Sequence, residues 1–240
     1  MTTTREQAAE QRAREVRQRS DRPSQRRCLA QRDAGVAGWT PAVRSRLELR
    51  QASDGGPLVF EGFASVTGQA YEMYDFWGPY EELVHVGAFA ETLAAGPDVP
   101  LVIDHVSSRR IARTGNAASP LSLSEVTTGD TTGLRVLAPQ LDLGDPDTAY
   151  IVPKLRSGLI DEMSFRFMIT SGRWSDDYST FHIHAVDLHR GDVSIVGYGA
   201  NPHTVGAGLR EQPAVPGQRA AGDADRALVR AKLALALADA

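Results

Sequence analysis

The segment Gly158–Phe167 reads Gly-Leu-Ile-Asp-Glu-Met-Ser-Phe-Arg-Phe and alternates as a β-strand does. Successive side chains of an extended strand point to opposite faces. Met163 and Phe165 therefore share a strongly apolar face, and Ser164 and Arg166 share the other. The pattern predicts a strand packed on a core that holds a serine hydroxyl on a rigid element. Such a position suits a catalytic nucleophile, and it equally suits an ordinary solvent-facing serine.

Short strands dominate the rest of the central sequence. Apolar alternation and turn residues predict strands at 58–66, 99–103, 133–143, 163–169, 181–188 and 192–196. A short helix is expected over residues 86–96. A second helix is expected between the N-cap Asp145 and Gly158, either kinked at Pro153 or starting late because of it. These elements predict a β-rich α+β fold, a barrel or a sandwich with helices packed outside.

Composition restricts the class of protein. The chain has 240 residues, of which 42% are hydrophobic and 23% charged, and its formal net charge is −4. We expect a soluble globular protein with one sizeable core. No run approaches the eighteen apolar residues typical of a membrane-spanning helix, and no secretory signal is recognised. Cys28 is the single cysteine, which excludes an intrachain disulfide and favours a reducing compartment.

Charge and composition divide the chain into three parts. Residues 1–40 hold nine arginines and five acidic residues, and we expect a solvated arm, partly helical or disordered. A nucleic-acid-binding arm is the alternative, but the interspersed acids and the lack of aromatic residues near the arginines disfavour it. Residues 41–205 form the expected folded domain. Residues 206–240 form a Gly/Ala/Pro-rich linker followed by a short amphipathic helix.

A serine nucleophile needs a base, and histidine is the usual one. His105 ends the apolar strand 99–103 and precedes the polar stretch 106–110, which we expect to be a loop. A third group normally orients the base. Asp192, at the start of the strand 192–196, is our candidate, with His184 and Asp187 as rivals.

Several blocks of sequence, taken in order, resemble the HK97-type prohead proteases of tailed bacteriophages, which are related in fold to herpesvirus assembly proteases. The resemblance spans residues 58–204. The blocks are Phe60–Ala64, Gly87–Phe89, Asp104-His105, Gly133-Leu134, Gly158–Ile160, Met163–Phe165, Asp192–Val196 and Ala200–Pro202. The resemblance implies a single β-barrel-like core flanked by a few helices. It also places the family's nucleophile at Ser164 and its catalytic histidine at His105.

The resemblance further implies a biological role. A serine endopeptidase with Ser164, His105 and Asp192 as its triad would need no metal or cofactor. It would cleave the major capsid protein, scaffold segments and its own tails inside the assembling procapsid, in the host cytoplasm. We expect self-association, no membrane partner and no nucleic-acid partner.

Three residues depart from the family pattern, and one of them is Gly199, which stands where proline is common. Arg166 stands where the family often has glycine, and Asp192 where it usually has glutamate. Arg166 would either help to stabilise an oxyanion or narrow the cleft. These departures leave open a scaffold or capsid-assembly protein that keeps the fold without turnover.

A metal-dependent β-barrel enzyme is a further alternative. His182 and His184 form a His-x-His pair whose rings share one face of a strand. Additional ligands would have to come from Asp187, His203 or Glu162, at no recognised spacing.

Overall fold

The computed structural model describes residues 3–26, 48–51 and 58–199. Three described helices are α1 (Arg5–Glu15), α2 (Ala90–Ala94) and α3 (Pro146–Ser157). The described strands are β1 (Glu48–Gln51), β2 (Leu58–Thr67), β3 (Ala70–Tyr74), β4 (Pro79–Val84), β5 (Pro100–Ile103), β6 (Val106–Arg113), β7 (Ser122–Thr128), β8 (Thr131–Leu141), β9 (Glu162–Trp174) and β10 (Thr180–Val196). None of these helices has the length and apolar character needed to span a bilayer. The expected linker and C-terminal helix within 206–240, and Cys28, lie outside the described residues.

The described strands form two sheets. The first has the order β1-β2-β8-β7, with every pair antiparallel. The second has the order β3-β4-β10-β5-β6, and β9 runs antiparallel along β10. One edge of β10 pairs in parallel first with β4 and then with β5. This strand therefore joins all parts of the second sheet.

The β-rich α+β class predicted from the sequence is confirmed. The single barrel-like core is not confirmed, because the described strands form two separate ladders and no closed barrel. Both sheets contribute to one apolar core, with Phe60 and Leu134 from the first and Ile183 and Ile195 from the second.

The two strands predicted at 181–188 and 192–196 are one continuous strand. β10 runs through both, and its register with β9 shifts between Asp187 and Asp192. At this bulge Arg190 has a φ of 61°, and Gly191 lies against the backbone of Arg166. A Cβ on Gly191 would be 1.9 Å from the Arg166 carbonyl oxygen, so only glycine fits here. β9 likewise extends beyond the predicted 163–169.

The helix after residue 145 begins where its capping signals place it. The Asp145 carboxylate accepts hydrogen bonds from the backbone N–H groups of Asp147 and Thr148, and Gly158 adopts the left-handed conformation at the C-cap. The helix contains Pro153 and still starts at Pro146, so the expected late start is wrong. The helix predicted over 86–96 contracts to the five residues of α2.

The N-terminal segment is not a solvated arm where it is described. α1 is helical as its composition predicts, and Thr4 caps it. However, the Arg12 side chain is fully buried and forms a two-point ion pair with the equally buried Asp75. The Arg12 guanidinium also donates to the Gly78 and Pro79 carbonyls and lies over the Trp174 ring. The docked face therefore belongs to the folded domain.

Further arginines extend this attachment along the segment. Arg5 pairs with Glu72 and Glu81, and Arg26 pairs with the buried Glu82. Glu82 also accepts from the Tyr71 hydroxyl. Sequence patterning missed this docking because the segment offers arginine rather than apolar residues, and the buried acids that receive it lie more than fifty residues away.

Arg12→Ala should reduce the free energy of unfolding by about 3–5 kcal/mol, because it leaves the Asp75 carboxylate buried without its cation. Urea unfolding followed by circular dichroism measures the change. Arg14→Ala is the matched control on the same helix, since Arg14 is exposed and its one ion pair among the described residues is with the exposed Glu10. Equal stability of the two variants would contradict the docking of α1.

Candidate active site

His105 sits in a tight two-residue turn between β5 and β6. Ile103 pairs with Val106, and the two central residues, Asp104 and His105, have φ values of 51° and 56°. Positive φ at both central positions is the signature of a type I′ hairpin, which usually contains Asn or Gly. The stretch 106–110, expected to be a loop, belongs to β6 instead.

Hydrogen bonds from the turn to β10 hold this unusual backbone. The Asp104 N–H donates to the Ile195 carbonyl at 2.9 Å. The His105 N–H donates to the Ser194 hydroxyl oxygen at 2.9 Å. Backbone strain of this kind persists only where the surroundings enforce it, and it concentrates at functional sites. The result is an imidazole whose position is fixed relative to β10.

The His105 imidazole pairs with Asp192. Its Nδ1 lies 2.5 Å from Asp192 Oδ1, and the aspartate side chain is 6% exposed. In the neutral imidazole, donation from Nδ1 to the carboxylate leaves the Nε2 lone pair available. No described residue forms a hydrogen bond to that Nε2. The rivals for the partner of His105 lie elsewhere: Asp187 accepts from the His189 N–H, and His184 stacks on His85.

Ser164 lies on the same face of the sheet as this pair. In the β9–β10 ladder Ser164 is directly opposite Ser194, the residue whose hydroxyl holds the His105 backbone. Directly opposed side chains share a face, with Cβ atoms about 5 Å apart. The Ser164 side chain is nearly buried, and its hydroxyl has no hydrogen-bond partner among the described residues. Met163 and Phe165 face the core, as the alternation predicts.

Arg166 lies on the same face and pairs with Asp192. The two residues are opposite each other in the ladder, and Arg166 Nη1 is 3.6 Å from Asp192 Oδ2. The Arg166 side chain is 60% exposed. One aspartate oxygen therefore faces the imidazole while the other faces an exposed cation.

Sequence reasoning found Arg166 but missed Ser194, Arg110 and Arg190. Ser194 is two residues from Asp192, so strand alternation alone would have placed it on the same face. No comparable signal brings Arg110 or Arg190 to this face, because they reach it through the β5–β6 pairing and the β10 bulge.

A depression of about 290 Å³ opens beside Asp192. Its lining includes Pro100, Val102 and Ser107 together with four arginines: Arg110, Arg113, Arg166 and Arg190. A larger depression, of about 640 Å³, lies beyond the Asp98–Arg113 ion pair and contains none of Ser164, His105 and Asp192. The smaller depression therefore shares Asp192 with the candidate triad, although Ser164 and His105 are not among its lining residues, and the larger one shares none of the three.

The His182–His184 pair lies on the other half of β10, where the His85 ring packs against both histidines. The two rings are nearly parallel, and His85 Nε2 is 2.9 Å from His182 Nδ1. Glu162 instead accepts from the Gly199 N–H, and His203 lies outside the described residues. Within the described ranges, no group of three or more His, Cys, Asp or Glu side chains is arranged to hold a metal ion. The metal-site interpretation gains no support.

Comparison with known proteins identifies a family. The family model described as "Caudovirus prohead serine protease" matches residues 45–214, which contain the three residues considered above. No curated protein and no solved structure gives a match to the chain.

Gly191→Ala should distort the site and lower the free energy of unfolding by about 1–3 kcal/mol, because the new methyl overlaps the Arg166 carbonyl. Gly197→Ala is the matched control, since a Cβ there meets nothing within 4 Å. Thermal unfolding of both variants measures the difference. A fully stable Gly191→Ala protein would show that the close contact of β9 and β10 is absent.

The histidine cluster predicts a loss of stability in acid. Desolvation lowers the pKa of His85 and of His182, and repulsion from His184 and Arg173 lowers both further. The unfolded chain therefore binds more protons than the folded chain as the pH falls through about 6.5. The cluster's contribution to the free energy of unfolding is complete above that pH and is lost as the pH falls below it.

Urea unfolding at pH 7.5 and 5.5 tests the cluster. The fall in the free energy of unfolding should be smaller in His85→Gln/His182→Gln than in the unmodified protein. His189→Gln, at an exposed position on the same strand, serves as the control. An unchanged fall in the double variant would contradict the prediction.

Proposed function

This chain belongs to the caudovirus prohead serine protease family, and on that premise we propose that it is a serine endopeptidase with Ser164 as nucleophile, His105 as general base and Asp192 as the group that orients the base. The observation that carries the proposal is the 2.5 Å hydrogen bond between His105 Nδ1 and Asp192 Oδ1. This pair lies on the face of the sheet that also bears Ser164.

The first chemical step is attack on a peptide carbonyl. Ser164 Oγ forms a bond to the carbonyl carbon while His105 Nε2 takes the hydroxyl proton. Asp192 stabilises the imidazolium that results, because its carboxylate already accepts from Nδ1. The Ser164 hydroxyl needs to break no hydrogen bond with a described residue before it reacts.

Collapse of the tetrahedral intermediate completes acylation. The imidazolium gives its proton from Nε2 to the leaving amine, and the peptide C–N bond breaks. Water then attacks the acyl-enzyme with His105 again acting as base, which releases the new carboxylate and restores Ser164. Apart from the substrate and the attacking water, the chain's own residues supply every group in these steps.

Arg166 is our proposed electrostatic stabiliser of the intermediate. It lies on the same face as Ser164, and its side chain is exposed enough to turn from Asp192 toward a developing oxyanion. Its 3.6 Å separation from Asp192 is longer than a direct hydrogen bond, so this reorientation costs little.

The proposed biological role is capsid maturation. The family description supports substrates in the immature phage capsid, and we propose the major capsid protein and scaffold segments, cleaved inside the assembling procapsid in the host cytoplasm. Self-association and self-cleavage in the terminal regions are part of the same proposal. A cut that releases residues 3–26 must also break the buried Arg12–Asp75 pair.

Co-expression with the capsid protein tests the assignment. Ser164→Ala and His105→Ala should abolish capsid-protein processing, and Asp192→Asn should lower the rate by roughly 10⁴-fold, because the imidazole loses the carboxylate that fixes its tautomer. Gel electrophoresis and intact mass measure both capsid processing and loss of the protease's own tails.

Ser122→Ala is the matched control, since Ser122 is an exposed serine on the other sheet. Processing that continues in Ser164→Ala would remove Ser164 from the chemistry. Absence of processing in the unmodified protein as well would favour the non-catalytic scaffold protein.

A further inference from the structure

The depression beside Asp192 has an excess of positive charge. Four guanidinium groups line it, and the carboxylates that line it are those of Asp98 and Asp192. Both carboxylates are already engaged: Asp98 by a two-point ion pair with Arg113, and Asp192 by His105 and Arg166. The lining therefore carries two more cationic than anionic groups.

Arg110 and Arg190 supply that excess. Arg110 Nε donates to the Ser107 carbonyl, a neutral acceptor, and neither Arg110 nor Arg190 forms an ion pair with a described carboxylate. Both are exposed, so their guanidinium groups keep free N–H donors at the depression. Like charges collected around one concavity repel each other, and an anion placed among them removes that repulsion.

The position of the depression points to substrate rather than to a remote ligand. It shares Arg166 and Asp192 with the candidate active site. Ser164 and His105 do not line it, so a residue seated there by its side chain lies beside the catalytic groups rather than on them. Pro100 and Val102 contribute apolar lining, which suits the aliphatic stem of a long side chain.

We propose that this arginine-lined depression is a specificity subsite that binds the carboxylate side chain, Asp or Glu, of a residue near the scissile bond of the substrate. The inference rests on the proposed protease function and names its substrate class: peptide segments with an acidic residue at a fixed distance from the cut. Arg110 and Arg190 are the recognising groups, and each can pair with the carboxylate through two N–H donors.

The lining favours a peptide over nucleic acid. No aromatic side chain lines the depression to stack on a base, and the cations surround one concavity instead of following a track along the surface. The chain as a whole is acidic, with a net charge of −4, which disfavours a polyanion of extended length.

A binding experiment in the full-length Ser164→Ala protein separates recognition from cleavage. The probes are two fluorescein-labelled ten-residue peptides with blocked termini, identical except that one carries Glu where the other carries Gln. Fluorescence anisotropy should show at least tenfold tighter binding of the Glu peptide. Adding Arg110→Gln and Arg190→Gln should remove the difference, whereas Arg17→Gln, at an exposed arginine beyond α1, should preserve it.

Equal affinity for the two peptides, or a preference for Glu that survives the double substitution, would overturn the proposal. Binding of a single-stranded oligonucleotide that depends on Arg110 and Arg190 and exceeds that of the Glu peptide would also overturn it, in favour of nucleic acid. Circular dichroism verifies folding, and the single variant Arg190→Gln, expected to lose about threefold to fivefold in affinity, replaces the double variant if the latter unfolds.

Cleavage of a mixed peptide library by the active protein provides the second readout. Mass spectrometry of the products should show Asp or Glu enriched at one fixed position relative to the cut, and the Arg110→Gln/Arg190→Gln variant should lose that enrichment while still cleaving. Cleavage with no acidic preference sinks the subsite alone. No cleavage above the Ser164→Ala background would contradict the protease assignment. The binding experiment would then still test whether the depression binds an acidic side chain.

Discussion

The pairing of β10 with strands on both of its edges determines where every group of the candidate site lies. On one edge, β5 pairs in parallel with residues Val193–Ile195, which delivers the β5–β6 turn and His105 to β10. On the other edge, β9 runs antiparallel and sets Ser164 opposite Ser194. Asp192 belongs to β10 itself, so three segments distant in sequence converge through backbone hydrogen bonds. Side-chain contacts then adjust a geometry that the ladders already impose.

Backbone strain and a close backbone contact occur together beside the candidate site. The turn holds Asp104 and His105 in the left-handed conformation, and Gly191 lies where no side chain fits. Both features serve one purpose, since the turn aims the imidazole at β10 and the bulge brings Asp192 to meet it. The cost is offset by hydrogen bonds to Ile195 and Ser194.

Local patterns in the sequence predicted most of the strands and the faces they present. Alternation around Ser164 placed Met163 and Phe165 in the core, and the N-cap Asp145 located the start of α3. Long-range effects could not be predicted in this way. The two predicted strands become one strand, β10, because a bulge between Asp187 and Asp192 lets it keep pairing with β9. The turn at His105 depends on a partner almost ninety residues away in the sequence.

Electrostatics distinguishes the arginines of the docked N-terminal segment from those that line the depression beside Asp192. In the segment, Arg12 is completely buried and forms an ion pair with Asp75, so its charge holds the segment to the folded domain. Beside the site, Arg110 and Arg190 form no ion pair with a described carboxylate and remain exposed. Arginine therefore has a structural role where it pairs with a carboxylate of the same chain. Where no such pair forms, the unmatched cations are free to recognise a carboxylate that another molecule provides, which is why we assign the excess charge beside Asp192 to binding and not to stability.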